Sequence, residues 1–229
     1  MPGELGTVVV TGGSSGLGAA VVAAVADAGG QPFVLDLRRP DNGVPHELVD
    51  LADTSAAASA VERAAELDGG LRGLVTCAGT DVCGRLDEVP GDDWERVVRV
   101  NLLGTAAVVR AALPHLERSR GRLVTVASTL GLRAISDATA YCASKFGVVG
   151  FTRALAAETA NRVGVTLLIP GGMKTGFFDG RREQYRPTID AQLIDPGDVA
   201  RAVLFALRQP PGCEVRELLI APAAETSWP

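Results

Sequence analysis

Tyr141 and Lys145 stand four residues apart in the run Tyr141-Cys142-Ala143-Ser144-Lys145, and Ser128 lies thirteen residues before the tyrosine. Helical side chains four apart share a face, so this spacing sets a phenol beside an ammonium. A phenol ordinarily titrates near pH ~10, and a neighbouring cation favours its ionised form, which moves it towards the range a general acid or base needs at neutral pH. The Ser128 hydroxyl is suited to hold a substrate oxygen as charge develops on it. Together these groups could transfer a proton to or from a carbonyl or carbinol oxygen. An aromatic and a lysine at this spacing also decorate ordinary helix surfaces, so the pair needs support from elsewhere in the chain.

Support comes first from a glycine turn. The run Thr11-Gly12-Gly13-Ser14-Ser15-Gly16-Leu17-Gly18 follows directly on the apolar Thr7-Val8-Val9-Val10 and precedes an alanine-rich stretch at 19–28. Strand, glycine turn and helix in that order let the backbone approach a pyrophosphate and meet its charge with amide N–H groups at the positive end of a helix. The next apolar run, 32–35, ends in Asp36, close to the ~20-residue offset at which an acid meets the ribose hydroxyls of NAD. A carboxylate there repels a 2′-phosphate and favours NAD, while Arg38 and Arg39 follow closely enough to keep NADP open.

These groups need a frame, and the chain supplies one by alternating apolar runs with helical stretches. Strands are expected at 7–11, 32–36, 46–49, 73–76, 122–127, 164–169 and 216–221. Between them, Thr54 or Ser55 is placed to cap a helix running to Leu67, residues 90–93 open one reaching Leu113, another covers 138–161, and 196–198 open a last one reaching Arg208. Strands separated by helices imply right-handed crossovers and an α/β, doubly wound parallel sheet. Ligands of such sheets sit beyond the carboxyl ends of the strands. The glycine turn, Asp36, Cys77-Ala78-Gly79, Ser128 and Pro170 all follow expected strands at that edge, so the motifs converge on one cleft.

Bulk properties narrow the reading. At 229 residues the chain is sized for one domain, 1–229. A hydrophobic content of 47% with 4% aromatic residues implies a core of Val, Leu and Ala, as suits a parallel sheet buried on both faces. The net charge of −5 argues against a nucleic-acid surface. Cys77, Cys83, Cys142 and Cys213 show no C-x-x-C spacing and no histidine company, so no metal site or disulfide framework is expected and reduced thiols in the cytoplasm are the simpler account. The start carries no basic or long apolar segment, and no later stretch reaches the ~20 apolar residues of a span. The expectation is a cytoplasmic protein with no membrane partner. His46 and His115, the two histidines, carry no catalytic signal.

The motifs together resemble the short-chain dehydrogenase/reductase family, in its single-domain branch, over nearly the whole sequence. Gly12-x-x-x-Gly16-x-Gly18 is similar to that family's version of the dinucleotide fingerprint, and Asp50-Leu51 resembles its adenine-contacting pair. Cys77-Ala78-Gly79 occupies the place of the family's Asn-Ala-Gly turn, and Cys77 departs from the pattern because a thiol lacks an amide's hydrogen bonds. Asn101, Ser128, Tyr141 and Lys145 match the catalytic tetrad, and Pro170-Gly171-Gly172-Met173-Lys174-Thr175 resembles the segment that holds the nicotinamide carboxamide. The resemblance implies a Rossmann-type sheet ordered 3-2-1-4-5-6-7 and an NAD(P)-dependent oxidoreductase acting on a secondary alcohol or ketone. It implies cofactor contacts from Gly12, Ser14, Ser15, Gly16, Leu17, Gly18, Asp36, Leu37, Asp50, Leu51, Cys77, Ala78, Gly79, Tyr141, Lys145, Pro170, Gly171, Met173 and Thr175. Lys145 would also hold the nicotinamide ribose, and Asn101 would link it to solvent through a water.

A variable substrate lid at about 171–195 would set Met173, Phe177, Phe178 and Tyr185, with Leu130, around the substrate, beside Arg181, Arg182 and Arg186. Apolar walls with cations suit a medium-sized ketone or alcohol, with or without a carboxylate or phosphate. Two alternatives stay open: a reductase of 3-oxoacyl groups on an acyl carrier protein using NADPH, and a regulator that binds NAD(H) without catalysis. In this family the two long helices, about 91–113 and 138–161, pair with symmetry mates, which implies a homodimer or homotetramer. Those helices present Val97, Val100, Leu103, Ala107, Phe151 and Leu155, some of which must cover the sheet while the rest would face a partner.

Overall fold

Seven apolar runs pair into one sheet in the computed structural model, which describes residues 5–41, 43–67, 69–188 and 191–225. They are β1 (Thr7–Thr11), β2 (Gln31–Asp36), β3 (His46–Leu48), β4 (Leu71–Thr76), β5 (Arg122–Val126), β6 (Gly164–Pro170) and β7 (Glu217–Ile220). Their order is β3-β2-β1-β4-β5-β6-β7, as expected, and every pairing is parallel. Positions 1–4, and 189 and 190 of the expected lid, lie outside the described residues.

Helices cover both faces of the sheet. On one, Val8, Val10, Val34, Val75, Val124 and Leu168 pack against Val21, Val22 and Val25 of α1 (Gly16–Asp27) and Val199 and Val203 of a C-terminal helix, Pro196–Leu207. On the other, Val9, Leu35, Leu74, Leu123 and Val165 meet α2 (Thr54–Ala65) and two long helical segments. Val9 thus faces opposite to Val8 and Val10, as the two-residue period of a strand requires. A strand buried on both faces must be apolar throughout, which is why the runs do not alternate.

Three helix boundaries differ from expectation for local reasons. Asp53, rather than Thr54 or Ser55, caps α2, its Oδ1 accepting from Ser55 N (3.1 Å) and Ala56 N (2.9 Å). The helix opened near Pro90 is divided into α3 (Gly91–Val98), a π-helical segment Arg99–Gly104, and α4 (Thr105–Ser119). It also runs past Pro114, because fully buried Leu116 anchors a final turn that proline alone would discourage. The whole run Gly91–Ser119 is long and apolar enough to cross a membrane, contrary to the sequence expectation, but Val97, Val108, Val109, Ala112 and Leu116 lie in the core here. Next come α5 (Thr139–Glu158) and α6, the Pro196–Leu207 helix, which Asp195 caps through Gly197 N (2.8 Å).

Candidate active site

The glycine turn joins β1 to α1 at the carboxyl edge of the sheet, and its glycines are dictated by space. Gly12 has φ +67°, and a Cβ there would lie 2.7 Å from Ala78 Cα, so this glycine lets the β1 and β4 turns touch. A Cβ on Gly18 would come within 2.0 Å of Gly12 O, so only glycine lets α1 start against the turn. Ser15 caps α1 without a side-chain hydrogen bond, and the first turn holds no acidic residue. The amide groups there keep the anion-binding capacity of a helix start, so the turn fits a pyrophosphate. Leu17 is buried in the core beneath it rather than facing the turn's exterior.

Asp36 lies beside this turn. Its carboxylate accepts from Ser14 N (3.0 Å) and Arg38 N (3.1 Å), and Ser14 Oγ donates to Arg38 O (2.6 Å). The Arg38 guanidinium donates to Ser15 Oγ (3.1 Å), which lays a cation across the same turn. Leu37 points largely to solvent, at 59% exposure. Asp50 is tied to Arg96 (3.0 Å) and to Ala52 N (2.9 Å), while Leu51 is buried against the π-helical segment, where a Cβ on Gly104 would lie 2.6 Å from Leu51 O.

The turn after β4 holds its shape without an asparagine side chain. Cys77 N donates to Thr11 O (3.2 Å), and Ala78 N donates to Thr11 Oγ1 (3.2 Å). Thr11 thus holds the turn through backbone amides, independently of the side chain at position 77. Burial pushes the Cys77 thiol up to about 12, against a smaller opposing pull from Lys145, so it stays protonated and inert at neutral pH.

Asn101 occupies the π-helical segment and is completely buried. Its Oδ1 accepts from Thr80 N (2.8 Å), and its Nδ2 donates to Thr80 O (2.9 Å) and Ser144 Oγ (3.0 Å). Ser144 Oγ in turn donates to Tyr141 O (2.8 Å). Asn101 thus ties the β4 turn to α5, and the widened π turn is the local irregularity that lets one side chain reach both. Gly79 leaves the space between Asn101 Oδ1 and Lys145 Nζ open: a Cβ there would lie 3.5 Å from the first and 3.8 Å from the second.

Ser128, two residues beyond β5, caps the short 3₁₀ turn Thr129–Gly131, its Oγ accepting from Leu130 N (3.1 Å). That turn lies against α5 because Gly131 lacks a Cβ, which would fall 2.8 Å from Lys145 O. Tyr141 and Lys145 share one face of α5, as their spacing requires. The Lys145 Nζ sits 5.6 Å from the Tyr141 ring centre and donates to Val126 O (2.9 Å). The expectation that Lys145 brings the phenol down is not met in this arrangement. Burial pushes the Tyr141 phenol above its ordinary value, and a hydrogen bond from Ser128, with a weaker pull from Arg181, opposes it. Burial also pushes Lys145 down to about 8, with Cys77 and Asp81 acting the other way.

Pro170 closes β6, and Gly171 N bonds Ile220 O (2.8 Å). Met173 bridges to Ile194, and Thr175 lies over Gly16, whose added Cβ would meet it at 3.3 Å. The nicotinamide-type segment therefore returns to the glycine turn. Phe177 lies on the Tyr141 ring (5.7 Å between centres) and edge-on to Phe178 (5.7 Å), while Tyr185 OH donates to Asp137 Oδ2 (3.3 Å). The lid cations differ from one another. Arg182 and Arg186 are exposed, but Arg181 is paired with Asp81 (2.7 Å), a residue the sequence reading passed over. The only signal for Asp81 was its place two residues beyond Gly79, at the same sheet edge as the other site residues. Among the described residues no group of three or more His, Cys, Asp or Glu could hold a metal ion.

The sequence matches the family described as short chain dehydrogenase over residues 6–186. An uncharacterized oxidoreductase of Staphylococcus aureus (strain MRSA252) is 32% identical over 227 residues, spanning 93% of this chain and 96% of that protein. Glycine betaine reductase ATRR of Emericella nidulans is 33% identical over 237 residues, but this chain spans only 19% of that protein while matching over 95% of its own length. Thermoplasma acidophilum aldohexose dehydrogenase in ligand-free form shares the fold at a TM-score of 0.83 and 23% identity, over 95% of this chain and 93% of that one. So does an alcohol dehydrogenase from the archaeon Thermococcus sibiricus, complexed with 5-hydroxy-NADP, at 0.80 and 23%, over 93% and 94%. With the sheet order in place, the family match and the Staphylococcus relative establish that the chain belongs to the short-chain dehydrogenase family of nicotinamide-dependent oxidoreductases.

Proposed function

We propose that the protein moves a hydride between NAD(H) and a neutral secondary alcohol or ketone, with Tyr141 as the group that gives and takes the proton. The observation that carries this reading is the meeting of the Tyr141 phenol, Ser128 and Lys145 at the sheet edge that also holds the glycine turn. A bound nicotinamide supplies or accepts the hydride. Gly12, Gly16, Gly18 and the start of α1 would hold the pyrophosphate, Asp36 the adenosine ribose, and Thr175 with Lys145 the nicotinamide end.

The chain's own groups then do the rest. A phenol held up by burial stays protonated at neutral pH, which suits Tyr141 as the acid for a carbonyl oxygen. In the other direction the Ser128 hydrogen bond and, more weakly, the Arg181 charge support the developing phenolate. Ser128 would hold the substrate oxygen beside Tyr141 Oη, worth a few kcal/mol at most, ~2–4. Asn101 fixes the α5 face through Ser144 and, with Gly79 leaving room, would pass Lys145's proton towards solvent.

NAD is the favoured cofactor because Asp36 presents a carboxylate beside the turn. NADP has one observation in its favour, the Arg38 guanidinium laid on Ser15 Oγ. Tyr141→Phe tests the proton role: kcat should fall by at least ~10²-fold with the dinucleotide Kd nearly unchanged. Turnover close to wild type would refute it.

A further inference from the structure

Asp81 stands on the loop that leaves the β4 turn, with its side chain 6% exposed. One carboxylate oxygen is fully engaged. Oδ2 accepts from the Arg181 guanidinium (2.7 Å) and from Cys83 Sγ (3.3 Å). The other oxygen, Oδ1, is closed off from solvent and has no hydrogen-bond partner among the described residues. A buried carboxyl oxygen without a donor is unfavourable and needs an explanation.

The surroundings indicate what donor is missing. Arg181 Cζ lies 5.0 Å from the Phe177 ring centre and 4.7 Å from that of Phe178, and Phe177 itself rests on Tyr141. The Phe177 ring therefore lies between the phenol and the Arg181 side of the ion pair, so both border the same part of the cleft. Tyr141 senses both members of the pair, Asp81 raising it and Arg181 lowering it.

Charge narrows the ligand further. Asp81 and Arg181 neutralise each other, so a cation at Oδ1 would leave a net positive charge in a desolvated site, and an anion would have to break a buried pair. A neutral donor meets the vacant oxygen without either penalty. We infer that Asp81 Oδ1 accepts a hydrogen bond from a second hydroxyl on the substrate, making diols and hydroxyketones the preferred substrate class. This rests on the alcohol/ketone oxidoreductase reading above.

The test compares cyclohexanol with 1,2-, 1,3- and 1,4-cyclohexanediol, measuring kcat/KM with NAD and Kd by calorimetry in the presence of NADH. At least one diol should exceed cyclohexanol by about 10- to 100-fold in both, the range of a hydrogen bond to a charged group. Asp81→Ala should bring that ratio to within about threefold of unity by removing the acceptor. The double variant Asp81→Leu with Arg181→Met replaces the pair by apolar side chains, avoids a lone buried arginine, and should do the same in a protein that unfolds cooperatively.

Equal handling of cyclohexanol and the diols by the wild type would overturn the inference while leaving the dehydrogenase reading intact. So would a diol preference that survives both variants, or a stronger preference for the anion 3-hydroxybutyrate. Asp81-dependent diol binding with no reduction of NAD would support the inference and overturn the dehydrogenase reading. Neither binding nor turnover of any diol would overturn the inference.

Discussion

Replacing Lys145 with methionine should alter the pH dependence of stability in a way that no surface lysine would. Lys145 is 5% exposed, and the acceptor recorded for its ammonium is Val126 O. Burial lowers its folded-state value from 10.5 to about 8. Between those two values the unfolded chain holds a proton that the folded chain has released, so this group makes stability rise as pH rises through that window. At ~1.36 kcal/mol per pH unit, the fall from 10.5 to about 8 amounts to about 3 kcal/mol. Below the window the charge is present in both states and its desolvation penalty is felt in full. Above it, the amine is neutral in both and the penalty is gone. Denaturant unfolding of the cofactor-free wild type and Lys145→Met, from about pH 7 to 10.5, isolates this contribution because the two proteins share Tyr141, Cys77 and every other titrating group. The wild type should gain about 3 kcal/mol on the variant across the series. A flat difference, or one that falls with pH, would refute the reasoning, since a falling one requires a lysine whose folded-state value is raised.

Gly18→Ala places a methyl 2.0 Å from Gly12 O and 2.6 Å from Gly12 C, both backbone atoms. It should destabilise by about 1–3 kcal/mol in thermal unfolding and weaken NADH binding by fluorescence titration; wild-type values for both would show that the turn is slack. Asp36→Ala should narrow the NAD-over-NADP ratio in kcat/KM by about 10- to 100-fold, the worth of a charged acceptor. A wild type that works better with NADPH would instead assign the dominant role to Arg38. Assembly as a dimer or tetramer is proposed through the helical face on which Leu103 is 48% and Phe146 45% exposed. Phe146→Asp should lower the sedimentation coefficient and the activity together, and a fully active wild-type monomer at micromolar concentration would refute this.

The parallel sheet was legible because it rests on patterns local in sequence, apolar runs and a glycine turn between strand and helix, and the four-residue spacing likewise put Tyr141 and Lys145 on one face of α5. The interface residues were less so. Of the residues the two long helices offered, some had to cover the sheet, and Val97, Val100 and Leu155 are those buried within the protomer, at 2%, 9% and 6% exposure; helix periodicity alone cannot say which apolar side meets the sheet. Phe151, expected with them, packs against the same core. The cap of α2 was missed by one residue because Asp53, Thr54 and Ser55 are all competent caps. The Asp81–Arg181 pair was invisible for a different reason: its members are 100 residues apart, joined only when the lid crosses the cleft. The effect of burial on Tyr141 was hidden likewise, since the rings and loops that desolvate it come from distant segments.

The π-helical segment Arg99–Gly104 also preserves the phase between the helices on either side of it. It carries, in effect, one residue more than an α-helix would use over the same rise, and each helical residue turns ~100°. That extra residue is absorbed inside the segment, because a π turn closes with about one residue more than an α turn, so deleting a single residue there would let α3 and α4 fuse into a regular helix with nearly the same phase on either side. Arg96 would then keep its place beside Asp50, and Trp94 its donation to Thr139 Oγ1 (3.1 Å), while Asn101, inside the segment, would lose the irregularity that lets it reach both Thr80 and Ser144. Shortening the chain by one residue in this segment would therefore act on Asn101 and leave the flanking helices in place, and an alignment that opens a one-residue gap there keeps 90–98 in register.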